Sequence, residues 1–132
     1  MKKTGCIHPD IMKSLAAAGH GDRILIADGN YPLESKCPDC SRVYLGLRAG
    51  EPTVTAVLET ILSEINVEAA AVMRPEEGRP EIYDEFKQLL PGINLDELDR
   101  WKFYDAGATA VLAISTGEKR TFANIMITVG CA

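Results

Sequence analysis

The run Val67–Met73 constrains the fold of this chain more than any other stretch of the sequence. Its alanines and valines show no alternating polar side, which a strand with one face in water would carry. Such a strand is typical of a sheet whose two faces are both covered. The chain is therefore expected to form a sheet that lies between two layers of helices.

Helical and extended patterns alternate along most of the chain. The clearest helix opens at Glu51-Pro52 and carries apolar side chains at helical spacing as far as Ile65. Further helices are expected over residues 9–18, 80–90 and 103–110, and further strands over residues 23–27, 98–102, 111–115 and 124–129. Residues 31–50 show little regular pattern beyond a short extended piece at 42–47. This alternation predicts the α/β class, as a three-layer α/β/α single domain over residues 1–132 with a mostly parallel or mixed sheet.

Composition and charge exclude several classes of function. The 132 residues carry a net charge of -5 and show no basic patch, which argues against a nucleic-acid surface. No apolar run is long enough to span a bilayer, so no membrane association is expected. Lys2 and Lys3 are not followed by the apolar core of a secretion signal, and a cytoplasmic location is therefore expected.

His20 and Asp28 are the first candidates for chemistry. His20 stands between two glycines just before the apolar run Arg23–Ala27, and Asp28 follows that run. An imidazole is suited to proton transfer at neutral pH, and a carboxylate can bind a hydroxyl group or orient the base. An unbroken strand of this length spans about 17 Å, at ~3.3 Å per residue, which places the two side chains near opposite ends. They can share a site only if the loop folds back or if two subunits each contribute one end; the second case predicts an oligomer with its site at a subunit boundary.

The cysteines allow a different reading. In a chain expected to be cytoplasmic, the four cysteines are more typical of free thiols or metal ligands than of disulfides. Cys37 and Cys40 form one C-x-x-C pair, but it lies in an irregular stretch and not at a helix start, where a thiol pKa is lowered. A structural zinc site needs four ligands, and Cys6, Cys131 and His8 could complete a set only by meeting in space. We expect no metal and no cofactor, and keep thiol or zinc chemistry as an alternative.

Several blocks of the sequence together resemble a known family. They are His8-Pro9-Asp10, Gly19-His20-Gly21-Asp22 and Asp28-Gly29-Asn30-Tyr31-Pro32 near the start, and Asp99-Arg100-Trp101-Lys102-Phe103-Tyr104, Thr116-Gly117-Glu118, Phe122-Ala123-Asn124-Ile125 and Gly130 towards the end. In order and spacing, over nearly the full length, they resemble the sugar mutarotase family of D-ribose pyranase and L-fucose mutarotase. The spacing of Arg100, Phe122 and Asn124 on its own would indicate only a surface arginine, a core aromatic and a strand-edge asparagine.

The resemblance implies an α/β/α fold, a ring-like homo-oligomer and a monosaccharide site between neighbouring subunits, without a metal. It implies that His20 is the catalytic acid and base, and that Asp28, Arg100 and Asn124 bind the sugar, as does the position of Phe122. An arginine at position 100 is similar to the fucose branch of the family, so L-fucose is the expected substrate, with D-ribose also considered. The expected function is a mutarotase that interconverts the α and β anomers of a sugar.

One departure from the family pattern keeps a second function open. The family usually has a tyrosine where Phe122 stands, and the missing hydroxyl removes a hydrogen-bond donor and a proton-transfer group. The alternative is therefore a monosaccharide-binding protein without catalysis. The third reading is the thiol or zinc protein built on Cys37 and Cys40.

Overall fold

The computed structural model describes all residues from 1 to 132. The helices are α1 (Pro9–Ala17), α2 (Leu33–Lys36), α3 (Val54–Leu62), α4 (Ile82–Leu89) and α5 (Arg100–Gly107). The strands are β1 (Arg23–Ala27), β2 (Ser41–Tyr44), β3 (Val67–Met73), β4 (Leu95–Leu98), β5 (Leu112–Ser115) and β6 (Ile125–Val129). They form one six-stranded sheet in the order β2-β5-β1-β6-β3-β4.

The sheet is mixed because β6 runs against its neighbours. It pairs antiparallel with β1 on one side and with β3 on the other, whereas β1 with β5, β2 with β5 and β3 with β4 are parallel pairs. The carboxyl ends of the parallel strands and the amino end of β6 therefore lie at one edge of the sheet. Asp28, which follows β1, and Asn124, which precedes β6, meet at that edge.

Alternating side chains of the strands supply two separate cores. Ile24 and Ile26 of β1 face α1, α3 and α4 in a cluster of 23 buried residues. Leu25 and Ala27 face α2 and α5 in a cluster of 11 buried residues. The three-layer α/β/α domain expected from the sequence is confirmed, with the thinner layer formed by α2 and α5. None of the five helices has the length and hydropathy needed to cross a membrane.

The region around α5 differs most from the sequence-based expectation. A strand over residues 98–102 was the wrong assignment, since the strand ends at Leu98 and the helix begins at Arg100. Asp99 caps that helix: its Oδ1 accepts hydrogen bonds of 3.0 Å from the main-chain amides of Trp101 and Lys102. A side chain that satisfies two free amides of the first turn favours a helix start over a continued strand.

Three smaller differences concern the bounds of helices and strands and the burial of β3. The main helix starts at Val54, after a Thr53 cap, and not at Glu51-Pro52. Residues 31–50 contain the short helix α2, which was not expected, and the extended piece expected at 42–47 forms the edge strand β2 with shifted bounds. On the α5 side of β3, Ala69 and Ala71 remain only half-buried, because α5 and α2 do not extend over the whole of that face.

The segment after β5 fixes the loop that carries Asp28. The Thr116 hydroxyl donates to the Ala27 carbonyl (2.9 Å), and the Gly29 amide donates to the Glu118 carbonyl (2.9 Å). The Glu118 side chain is almost fully buried and accepts hydrogen bonds from Nε (3.1 Å) and Nη2 (3.0 Å) of Arg120. Burial alone would raise the pKa of Glu118, but the hydrogen bonds and charge of Arg120 outweigh it and hold the pKa below its ordinary value.

We expect Arg120→Gln to destabilise the protein by about 2 kcal/mol, because it leaves the buried Glu118 carboxylate without its cation. The partial exposure of Arg120 keeps the figure below that of a fully buried pair. A lowered folded-state pKa gives stability that is present above the unfolded value of 4.5 and is lost as the pH falls through the folded value. Thermal unfolding should therefore show the full deficit at neutral pH and a smaller one in acid.

Arg48→Gln is the matched control for that experiment. It removes the same charge from an exposed pair with Glu51, which has an N–O distance of 3.0 Å. Exposed pairs contribute about 0–1 kcal/mol, so this variant should unfold close to wild type. Equal losses of stability in Arg48→Gln and Arg120→Gln would contradict the role given to the Glu118 pair.

Candidate active site

A small pocket opens at the sheet edge where β1 ends and β6 begins. We call it the Asp28 pocket; its volume is about 200 Å³. Its walls come from the loop after β1, the end of β3, helix α5 and the segment before β6. The lining residues are Asp28, Asn30, Tyr31, Met73, Arg100, Tyr104, Thr121, Phe122 and Asn124. Four of the predicted site residues, Asp28, Arg100, Phe122 and Asn124, are therefore brought together, although they are far apart in the sequence.

The Asp28 carboxylate is held in place by main-chain amides. Its Oδ1 accepts from the Asn30 amide (2.8 Å), and its Oδ2 accepts from the Ala123 amide (3.2 Å). The Asn124 side chain accepts from the Asp28 amide (2.8 Å), which ties the start of β6 to the end of β1. Burial raises the pKa of Asp28 above its ordinary value, while hydrogen bonds from Asn30, Ala123 and Asn124 counteract part of that effect. The pocket thus has a fixed, desolvated carboxyl group on its floor.

Phe122 has an unusual main-chain conformation beside that carboxyl group. Its φ is +56°, and it is the only residue other than glycine with a positive φ. Conformations of this kind cost free energy and cluster at binding and active sites. Here the turn leads directly to the Ala123 amide that contacts Asp28. The Phe122 ring also packs under the Arg100 guanidinium, 5.4 Å from ring centroid to Cζ, so the two side chains form one wall of the pocket.

The pocket is also lined by two tyrosines, which the sequence patterns did not indicate as site residues. Tyr31 and Tyr104 pack edge to face with a centroid separation of 5.3 Å. The Tyr31 hydroxyl is buried and has no hydrogen-bond partner within the chain. Burial raises the pKa of Tyr31 far above its ordinary value, which keeps the hydroxyl a neutral donor. In the sequence, the Asp-Gly-Asn turn before Tyr31 indicated a loop. No rule of residue spacing predicts that Tyr31 and Tyr104 lie side by side in the fold.

His20 lies away from this pocket, at the opposite edge of the sheet. Its Nε2 is 2.8 Å from Glu68 Oε2, and both side chains are about half exposed, at 59% and 44%. It lines a cleft of about 550 Å³, which also contains residues 62–66 and 129–132. Gly21, with φ of +87°, turns the chain between His20 and β1, and its amide donates to the Val129 carbonyl (2.9 Å). The loop does not fold back, so His20 and Asp28 of one chain stay at opposite ends of β1.

The cysteines do not form a metal centre. Cys37 and Cys40 are buried between α2 and α5, each with its Sγ 3.7 Å from the Gly107 carbonyl. Cys6 belongs to the core on the other face of the sheet, and Cys131 is exposed, so the set considered from the sequence does not assemble. No three histidine, cysteine or acidic side chains are placed to hold a metal ion. Burial raises the pKa of the Cys37 thiol to about 12, which leaves it protonated and a poor nucleophile.

Comparison with known proteins gives consistent matches over the whole chain. The RbsD / FucU transport protein family matches residues 1–132. The D-ribose pyranase of Symbiobacterium thermophilum is 35% identical over 132 residues, with 98% of each chain covered. The D-ribose pyranase of Streptomyces coelicolor is 36% identical over 132 residues, again with 98% of each chain covered.

Two solved structures with bound sugars share the fold. Bacillus subtilis RbsD complexed with D-ribose has a TM-score of 0.89 at 27% identity, covering 100% of this chain and 99% of that one. The fucose mutarotase of Streptococcus pneumoniae in complex with L-fucose has a TM-score of 0.86 at 27% identity, with the same coverage. The family resemblance seen in the sequence is thereby confirmed.

Proposed function

Because this chain belongs to the RbsD/FucU family, we propose that it is a sugar mutarotase, which interconverts the α and β anomers of a monosaccharide by opening and closing the ring. The observation that carries the proposal is the Asp28 pocket. It joins a buried carboxyl group, an arginine, an asparagine and aromatic walls in a small cavity, a combination suited to a polyhydroxylated ring with apolar faces.

The reaction needs proton transfers at two oxygens. A base takes the proton from the anomeric hydroxyl while an acid protonates the ring oxygen; the ring opens, the aldehyde carbon rotates, and the ring closes on the other face. We assign His20 as this acid and base. Asp28, Arg100 and Asn124 bind hydroxyl and ring oxygens, and the main-chain amides around Phe122 contribute to the same binding. General acid–base help of this kind gives a rate increase of about 10²–10⁴.

We further propose that the complete site forms between neighbouring subunits of a ring-like homo-oligomer. The placement of His20 and Asp28 at opposite ends of β1 supports this, since one chain cannot bring them together. A neighbour would supply His20 to the open side of the Asp28 pocket. Glu68, at 2.8 Å, would hold the imidazole in one orientation and favour a proton on its Nε2.

The substrate is proposed at the level of a monosaccharide, with L-fucose and D-ribose as the two candidates. Arg100 favours L-fucose by its resemblance to that branch of the family. The curated relatives at 35% and 36% identity are D-ribose pyranases, which favours D-ribose. The expectation of L-fucose is therefore not confirmed, and both sugars belong in the first experiment.

That experiment is magnetisation exchange by NMR between the α and β anomers of L-fucose, D-ribose and D-galactose. Faster exchange with one sugar supports the mutarotase function and identifies that sugar as the preferred substrate. Line broadening without faster exchange would instead support the non-catalytic binder, the second candidate, which rests on the phenylalanine at position 122. If no sugar shows either effect, the sugar function is wrong.

We expect Phe122→Tyr to raise the exchange rate, by about tenfold if the new hydroxyl takes part in proton transfer. The ring lines the Asp28 pocket and is only partly buried, so the added hydroxyl reaches the cavity without displacing core side chains. Phe122→Leu is the control, since it alters the wall without adding a donor. The role of the hydroxyl would be contradicted if both variants changed the rate to the same degree.

A further inference from the structure

Two side chains of the Asp28 pocket differ in chemistry from the other seven. Met73 and Phe122 carry neither oxygen nor nitrogen, whereas every other lining residue has a hydroxyl, amide, carboxyl or guanidinium group. We call these two side chains the apolar pair. Met73 is buried, at 4% exposure, in the cluster on the α5 side of the sheet, and Phe122 packs against the same cluster. One side of the pocket therefore offers no hydrogen-bond donor and only a weak acceptor, the Met73 sulfur.

The sheet fixes where Met73 lies relative to the polar groups. Strand β6 stands between β1 and β3, and Val72 of β3 pairs with Ile125 of β6 in antiparallel register. Continuing that register by one residue places Met73 beside Asn124, with Asp28 one strand further along the same edge. Two strand spacings amount to about 10 Å. A sugar held by Asp28 and Asn124 would therefore turn its opposite side towards Met73.

Met73 is held in place by contacts within its own chain. Its main-chain carbonyl accepts a hydrogen bond from the Tyr83 hydroxyl (2.7 Å), and it pairs with Leu98 of β4. Because its side chain is already buried in one chain, a neighbouring subunit on the open side of the pocket does not have to complete this part. The position of Met73 is therefore a property of the single chain.

We propose that the apolar pair receives the substituent on C5 of the sugar, and that Met73 selects against a hydroxyl group there. This inference rests on the proposed sugar function and narrows its substrate class to aldoses whose C5 carries only hydrogen or a methyl group outside the ring, namely pentoses and 6-deoxyhexoses. Met73 is then a specificity-determining residue. D-ribose and L-fucose both meet this condition, whereas D-galactose does not.

The distribution of oxygens on the sugars is what points to C5. In an aldopyranose, C1 to C4 each carry a hydroxyl group, so only the C5 substituent can lack one: it is hydrogen in D-ribose, methyl in L-fucose and hydroxymethyl in D-galactose. A hydroxyl group that is buried without a partner loses its hydrogen bonds to water, which costs free energy. The polar side chains of the pocket suit the ring hydroxyls, and the apolar pair suits the one substituent that needs no partner.

The test compares sugars that share a ring and differ only at C5, with the full-length protein. L-fucose and L-galactose differ by one hydroxyl group, and D-ribose and D-allose differ by one hydroxymethyl group. Anomer exchange and binding affinity are measured by NMR for both members of each pair. In at least one pair the wild type should prefer the member without the C6 hydroxyl by about tenfold to hundredfold, the range in which an apolar pocket rejects an added hydroxyl.

Met73→Gln should reduce that preference to about threefold or less, because its amide gives the hydroxyl group a partner in a side chain of similar size. Met73→Leu is the matched control, since it changes the shape of the side chain without adding a polar group, and it should keep the preference. Met73→Thr repeats the test with a residue that suits a strand, should the glutamine variant not fold. Each preference is a ratio measured on one preparation, so the fraction of folded protein does not alter it.

The outcomes separate this inference from the proposed function. If exchange is accelerated equally for both members of each pair, the mutarotase stands and selection at C5 is wrong. Selection by Met73 is also wrong if the polar variants keep the wild-type preference, or if Met73→Leu loses it to the same degree. If one member binds more tightly in a Met73-dependent way without faster exchange, the selection stands and the catalytic function fails. If no sugar binds or reacts, both are overturned.

Discussion

Replacing His20 with alanine is expected to remove the catalysed anomer exchange, a loss of about 10²–10⁴ in rate. His20 is the group assigned to transfer protons in the proposed reaction. The only other histidine, His8, caps α1 and is not available for this role. The His20 side chain is more than half exposed, so the substitution should leave the fold intact. Exchange rates by NMR and a thermal unfolding curve test both parts.

Glu68→Gln is the companion variant to His20→Ala. It keeps a hydrogen-bonding partner at the position that lies 2.8 Å from His20 Nε2 but removes its charge. If Glu68 orients the imidazole for proton transfer, the exchange rate should fall by about tenfold. The assignment of His20 would fail if His20→Ala kept a wild-type rate with the same sugar.

Mixing two inactive variants is expected to restore activity. His20→Ala lacks the proton-transfer group, and Asp28→Asn alters the buried carboxyl group of the pocket. In mixed assemblies a site is intact when its histidine comes from an Asp28→Asn chain and its carboxylate from a His20→Ala chain. When equal amounts of the two chains mix at random, about half of the sites receive an intact histidine, and about half of those also have an intact carboxylate. About a quarter of the sites should therefore work.

The two chains would be co-expressed with different tags and the mixed species purified through both. Assemblies of two differently tagged His20→Ala chains serve as the control and should remain inactive. The effect is large, since activity rises from background to about a quarter of wild type. A mixed assembly that is shown to contain both chains and still fails to react would exclude a site shared in the proposed way.

The parts of the fold set by local periodicity could be predicted from the sequence. The strand Arg23–Ala27 and the run Val67–Met73 were assigned with the bounds that the structure shows. The wrong assignment around residue 100 has a local cause. The expectation took no account of a side-chain cap, whereas the two amide hydrogen bonds to Asp99 start a helix there.

The candidate site could be predicted only in part, for a reason of geometry. The sequence positions of Asp28 and Asn124 matched a family pattern, and the structure places both in one pocket. Tyr104 stood in the sequence only as part of a family block without a role in the site, because it reaches that edge only through the order of β3, β4 and α5 in space. His20 was correctly expected to lie at the other end of β1, since strand length alone fixes that separation.

If the site is shared between subunits as proposed, the placement of His20 and Asp28 at opposite ends of β1 makes the activity depend on protein concentration. Each subunit would give its histidine to one neighbour and its carboxylate pocket to the other. A closed ring of such subunits has as many sites as chains, an open row has one fewer, and a single chain has none. The specific activity per subunit would therefore fall on dilution without any change in the subunit itself, so that assembly would control catalysis.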